Sequence, residues 1–101
     1  MKTLQLSKRL TDFSNKPIFV AEGIVITLKD LYLHYLGVYT SENGKQVINA
    51  YRLGIKIAEC NEPTIDVEDA DFMILKESTQ KPQHGAIVMG QLYEELENME
   101  K

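Results

Sequence analysis

Residues 27–39 read TLKDLYLHYLGVY, and this stretch decides the fold class. Thr27 stands three positions before Asp30, so its hydroxyl can cap the amide of Asp30 while the carboxylate reaches back to the Thr27 amide. The sequence therefore predicts a helix that begins after Thr27 and buries one broad stripe. That stripe comprises apolar residues spaced three or four positions apart: Leu28, Leu31, Tyr32, Tyr35, Leu36 and Tyr39.

The segment before this helix carries a β-hairpin signal. Two β-branched runs, residues 18–20 and 24–26, flank the three-residue connection 21–23. The connection ends in Gly23, which accepts the left-handed backbone that such a loop commonly needs. Residues 1–16 fit neither the helix nor the strand period, so an ordered and a poorly ordered segment both stay open.

A second helix is predicted between the turn cluster 41–44 and Pro63. It is expected to end near Cys60, because the residue before a proline avoids the α region. Gly54 in its interior costs about 1 kcal/mol relative to alanine, which suggests close approach by a neighbouring element. We expect this helix to be substantially buried through one stripe (Val47, Ile48, Tyr51, Ile55 and Ala58) widened by Ala50, Leu53 and Ile57.

Two further helices complete the predicted fold. The third runs through residues 72–75, with Asp66 as its expected cap, and residues 81–85 then break the chain. The last helix is apolar on one face and acidic on the other. The prediction is one domain over residues 1–101 that is mostly α (α+β), with a short N-terminal β-hairpin followed by about four packed helices.

Composition places the chain among small cytoplasmic proteins. It has 101 residues, 44% of them hydrophobic, and a formal charge of −4. A single cysteine, Cys60, cannot form an internal disulfide, and the amino terminus lacks the apolar core of a signal peptide. No apolar run approaches the roughly 18 residues that cross a bilayer, so no membrane association is expected.

The polar clusters predict no catalytic, metal or cofactor site, and hence no enzyme. Residues 66–71 are rich in acids but lack the ligand spacing of a calcium loop, so we interpret them as opposing a helix dipole; cation binding there stays open. His34, His84 and Cys60 do not have zinc-site spacing. Cys60 is interpreted as a small buried hydrophobe, with a histidine-activated thiol as the alternative. The glycines form no phosphate-binding loop.

Two surfaces remain as candidates for binding. The leading one is the apolar face of the last helix, expected to pack on a partner protein or on a second copy in a homodimer: Val88, Leu92, Tyr93, Leu96 and Met99. The alternative is nucleic-acid binding by the basic face of the second helix: Lys45, Asn49, Arg52 and Lys56. A third and weaker hypothesis is a hydrolase or metal-dependent enzyme built on residues 66–71 and His84.

Four stretches carry a resemblance to other proteins: GIVITLKDL at 23–31, YRLGIKI at 51–57, IDVED at 65–69 and GQLYEEL at 90–96. In this arrangement the chain resembles small uncharacterised proteins encoded by tailed phages and prophages, over most of residues 17–97. The resemblance brings no activity or site with it. It implies a phage or prophage context, in which a small acidic helical protein acts as an accessory or regulatory binder of another protein.

Overall fold

The helix predicted to follow Thr27 is present. In the computed structural model, which describes residues 1–21 and 23–100, helix α1 spans Leu28–Gly37. The Asp30 amide donates to Thr27 Oγ1 (3.4 Å), and the Asp30 carboxylate accepts from the Thr27 amide (3.0 Å). This capping box fixes the start of the helix. Five side chains of its apolar stripe are buried in the core: Leu28, Leu31, Tyr32, Tyr35 and Leu36.

Three more helices follow in the described part of the chain, which confirms the mostly helical α+β fold: α2 (Gly44–Glu59), α3 (Asp69–Ser78) and α4 (Ala86–Glu100). Helix α2 ends at Glu59 with Cys60 as its C-cap, close to the end expected from the proline that follows. The first three helices pack against one another in all three pairings. Among residues 1–21 and 23–100, no helix combines the length and apolar character that a membrane span requires.

The predicted hairpin is present before α1. Strand β2 (Phe19–Ala21) pairs antiparallel with β3 (Ile24–Val25). Gly23 has φ +76°, the left-handed conformation for which glycine was expected there. Glu22, which belongs to the predicted connection, lies outside the described residues.

A second strand pair joins the amino-terminal segment to the stretch between α2 and α3, and the sequence prediction did not include it. Strand β1 (Lys2–Gln5) pairs antiparallel with β4 (Thr64–Val67), in a register that sets Leu4 opposite Ile65. In the segment whose order the sequence left open, Leu4, Leu6 and Leu10 are each at most 1% exposed. Poor order in residues 1–16 stays an untested expectation, but burial gives these leucines a structural role.

The capping role predicted for Asp66 is wrong. Asp66 lies inside β4, where its carboxylate accepts a hydrogen bond from the Thr3 hydroxyl (2.5 Å). Helix α3 begins three residues later, at Asp69, with Glu68 at the N-cap position and no side-chain cap bond. Asp66 is part of the strand because residues 64–67 are extended and pair with β1.

The amino-terminal segment also holds α4 against the rest of the protein. Lys2 donates from Nζ to the carbonyl of Met99 (2.8 Å). The Gln91 side chain accepts from the amide of Thr11 (3.1 Å) and donates to its carbonyl (2.7 Å). Residues 2–11 and α4 therefore cover each other.

Candidate interaction surface

Helix α2 has one narrow buried side and one wide exposed side. Asn43 caps its start by accepting from the Lys45 amide (3.0 Å). Only Ala50, Leu53 and Ile57 along the helix are buried. These residues were expected merely to widen the apolar stripe, yet they are the ones that α2 buries in the core.

The predicted stripe of α2 faces outward instead. This set, called the α2 stripe below, is Val47, Ile48, Tyr51, Ile55 and Ala58. Tyr51 is 68% exposed and Ile48 is 51% exposed, and the other three members are exposed as well. The expectation that this stripe buries the helix is therefore wrong: the structure leaves it as a surface. A contiguous exposed apolar surface of this kind is typical of a binding site.

A groove between α1 and α2 extends this surface on one flank. It has a volume of about 370 Å³ and its lining is mainly apolar, with contributions from Leu33, Leu36, Tyr39, Val47, Tyr51 and Ile55. A Cβ placed on Gly54 would lie 3.9 Å from the Leu36 Cβ, which is ordinary contact, so α1 is the element that packs beside this glycine. The Tyr39 hydroxyl is buried and has no hydrogen-bond partner among the described residues.

The basic residues predicted for nucleic-acid contact lie on the other flank of α2. Lys45 and Arg52 are exposed. Lys56 is also exposed, but its Nζ donates to the carbonyl of Asp66 (3.1 Å). Asn49 is half-buried and lines a cavity of about 660 Å³ between α2 and α3. Only part of this set is therefore presented freely to a ligand.

The face of α4 predicted as a protein interface is turned into the core. Leu92 is fully buried and Leu96 is 3% exposed, while Val88 and Met99 are half-buried against the core cluster. Tyr93 is half-buried and donates from its hydroxyl to the carbonyl of Thr79 (2.7 Å). This corrects the expectation, because a face already covered by the same chain is not free for a partner.

Two tyrosines of the protein, Tyr32 on α1 and Tyr93 on α4, have a raised pKa. Burial raises the pKa of the Tyr32 hydroxyl, and the nearby Glu95 carboxylate raises it further. Burial, with a smaller effect of Tyr35, raises the pKa of Tyr93. Both shifts favour the neutral phenol and are consistent with structural roles.

The two histidines lie close together, which no sequence pattern had indicated. Their rings are 5.4 Å apart, one from α1 and one from the loop before α4. His34 Nε2 lies 2.7 Å from Gln83 Oε1, and His84 Nδ1 lies 2.8 Å from the Tyr35 hydroxyl. These bonds fix the loop before α4 onto α1. Only the long-range packing of the loop reveals the pair, because 50 positions separate the histidines in the sequence.

The acidic cluster and the cysteine do not converge with this pair. Asp69 and Asp71 lie in the first turn of α3, as the dipole interpretation expects. Within residues 1–21 and 23–100, no three His, Cys, Asp or Glu side chains are placed to hold a metal ion together. The Cys60 thiol is half-buried and lies near the carbonyls of Glu62 (3.9 Å) and Thr64 (3.7 Å).

An exposed aromatic residue was also missed by sequence reasoning. Phe13 is 89% exposed at the tip of a turn. The Asp12 carboxylate accepts from the amides of Ser14 (2.8 Å) and Lys16 (3.0 Å), and Asn15 has φ 63°. The turn signal Asp-Phe-Ser-Asn was present, but the sequence does not show that the phenylalanine points away from the core.

No protein family, curated protein or solved structure matches the chain.

Proposed function

We propose that this protein is a non-enzymatic accessory or regulatory protein, encoded by a phage or prophage, that acts in the cytoplasm of a bacterial host by binding a protein chain. The observation that carries the proposal is the exposed α2 stripe, with Tyr51 at its centre. Large aromatic residues in the middle of an apolar surface are typical binding anchors, because they bury much area and lose little conformational entropy.

The construction of α2 supports an interaction role. Its N-cap and its buried side fix the backbone, so the stripe is presented on a preformed helix. A preformed surface binds without the entropic cost of ordering a loop or a disordered segment. The groove beside α1 adds an apolar recess next to Tyr51.

The contacts of the reactive side chains support the non-enzymatic part. His34 and His84 hydrogen-bond to Gln83 and Tyr35. The thiol of Cys60 has carbonyl neighbours. A nucleophile needs a base within hydrogen-bonding distance, and the thiol contacts do not include a histidine. The Tyr35 hydroxyl does lie beside His84, but Tyr35 is fully buried and also contacts the Met89 sulfur, as a structural side chain does.

Site-specific photocrosslinking in a bacterial cell that carries the gene tests the proposal. Tyr51 is replaced by benzoylphenylalanine, and Glu97, an exposed position on α4, receives the same group as the matched control. We expect a covalent adduct with a protein chain from position 51 and none from position 97. A folded protein that gives no adduct from position 51 would contradict the proposal.

Nucleic-acid binding is the alternative function, and the exposure of Lys45 and Arg52 on one flank of α2 is the observation in its favour. Such binding should weaken steeply with salt, because each neutralised phosphate releases a counterion. Gel retardation of DNA and RNA at low salt, with wild type and Arg52→Glu, separates the two functions. Retardation that Arg52→Glu abolishes favours nucleic acid, whereas no retardation removes this alternative.

A further inference from the structure

Four residues of the α2 stripe are spaced like two heptads of a coiled-coil seam. Ile48 and Ile55 are seven residues apart, as are Tyr51 and Ala58, and the two pairs alternate at spacings of three and four. In a heptad these are the positions that a second helix packs against. All four are exposed, so α2 presents a seam that the described residues of the chain leave uncovered.

The charges beside the seam are complementary under one arrangement. Lys45, Arg52 and Glu59 are also spaced by seven residues, and all three are exposed along one flank of the seam. Around a two-fold axis, residues on one flank of a helix meet residues of the same flank on an antiparallel copy. This places Lys45 near Glu59 of the copy, and Glu59 near Lys45 of the copy.

We propose that a second copy of this chain occupies the α2 stripe, with its own α2 packed antiparallel. The inference rests on the proposed function, since it names the partner for the same surface. In this register Ile48 faces Ala58 of the copy and Tyr51 faces Ile55 of the copy, so every seam residue has an apolar neighbour. A parallel arrangement would set the flank with Lys45 and Glu59 against the opposite flank of the copy, which carries Val47 and Gly54, so neither charge would meet an opposite charge.

In the same register, two features are expected to limit the affinity of the dimer. Arg52 lies opposite Arg52 of the copy, a like-charge pair that costs affinity. The seam is only two heptads long, and its area is supplemented only by the neighbouring groove. We therefore expect a dissociation constant on the order of micromolar, typical of a small interface. Arg52→Gln is expected to tighten the dimer.

A charge exchange tests the antiparallel pairing. Lys45→Glu and Glu59→Lys each convert both cross-pairs into like-charge pairs, and each should weaken self-association about tenfold. An equimolar mixture should recover the wild-type affinity, because a heterodimer restores opposite charges at both pairs. Both variants are expected to keep α2 folded, since an acid at its start and a base at its end favour the helix dipole.

Sedimentation velocity over a concentration series measures the dimer, and circular dichroism checks that each variant is folded. Wild type that stays monomeric up to its solubility limit would overturn the proposal. A mixture no tighter than the two single variants would overturn it as well. A monomeric wild type that still crosslinks to a different protein from position 51 rejects the dimer and leaves the interaction function standing, whereas no adduct rejects both.

Discussion

Helices α2 and α4 both carry an apolar stripe, yet the protein buries one and exposes the other. On α4, Leu92 and Leu96 are covered by the core, and the amino-terminal segment is tied to the helix by Gln91. On α2, the side that reaches the core consists of Ala50, Leu53 and Ile57. Periodicity therefore identifies a face that avoids water, but the neighbours decide whether the chain itself covers it.

The two helices should differ most in how much stability the protein loses when a leucine or isoleucine of the stripe is replaced by alanine. Leu92→Ala is expected to lower the free energy of unfolding by about 2 to 5 kcal/mol, because it leaves a cavity in a fully buried site. Ile48→Ala on the α2 stripe is the matched change and should cost less than about 1 kcal/mol, since half of the side chain is already in solvent. Urea unfolding of dilute protein measures both, and equal losses would contradict the assignment of the faces.

The free energy of unfolding should also decrease at alkaline pH, because Tyr32 is buried in the core. Burial raises the pKa of this phenol in the folded protein, whereas the unfolded chain ionises near its ordinary value of about 10. Stability is therefore intact below about pH 10 and falls as the pH rises above it, because only the unfolded state can release the proton readily.

Tyr32→Phe sharpens this test. The Tyr32 hydroxyl has no hydrogen-bond partner among the described residues, so its removal should stabilise the protein by about 1 kcal/mol near neutral pH. The variant should also lose part of the decline in stability above pH 10, as measured by urea unfolding at several pH values. A variant that is less stable at neutral pH and equally sensitive to alkali would refute the burial of a neutral phenol.

The outer side of α4 should tolerate added volume. A Cβ at Gly90 would meet no atom within 4 Å, and the residue is exposed inside the helix. Gly90→Ala is therefore expected to raise the free energy of unfolding by about 0.5 to 1 kcal/mol through helix propensity alone. Thermal and urea unfolding should agree on the sign, and destabilisation would mean that this side is packed.

The smallest effect on stability is expected on the α2 stripe itself. Tyr51→Lys should change the free energy of unfolding of the dilute protein by no more than about 0.5 kcal/mol, because Tyr51 is 68% exposed. The same variant should abolish binding through the stripe, since a charge would be placed in the centre of an apolar contact. A large loss of stability without loss of binding would show that the stripe of α2 is buried and is not the binding surface.

Local signals predicted the parts of the fold that depend on local chemistry. The Thr27 and Asp30 capping box, the end of α2 before Pro63 and the glycine of the hairpin all lie within a few residues of their partners. The pairing of β1 with β4 joins residues more than 55 positions apart, and no periodicity encodes such a partner.

For the candidate surface, local signals predicted which residues belong together but not whether they are exposed. The sequence identified the five members of the α2 stripe as a single apolar set, but placed them inside. It placed Leu92 and Leu96 outside because residues 2–11, which cover α4, had no assigned structure. A short amphipathic segment whose pattern fits neither period can thus decide which of two helices becomes the surface.

Carbene footprinting with mass spectrometry tests the central claim most directly, by comparing label on α2 and α4 in monomeric and in concentrated protein. We expect strong labelling of Tyr51 and Ile48 in the monomer, reduced labelling of both on concentration, and weak labelling of Leu92 and Leu96 in both samples. Labelling of Leu92 and Leu96 as strong as that of Tyr51 would show that α4 carries the open face, and would contradict the account.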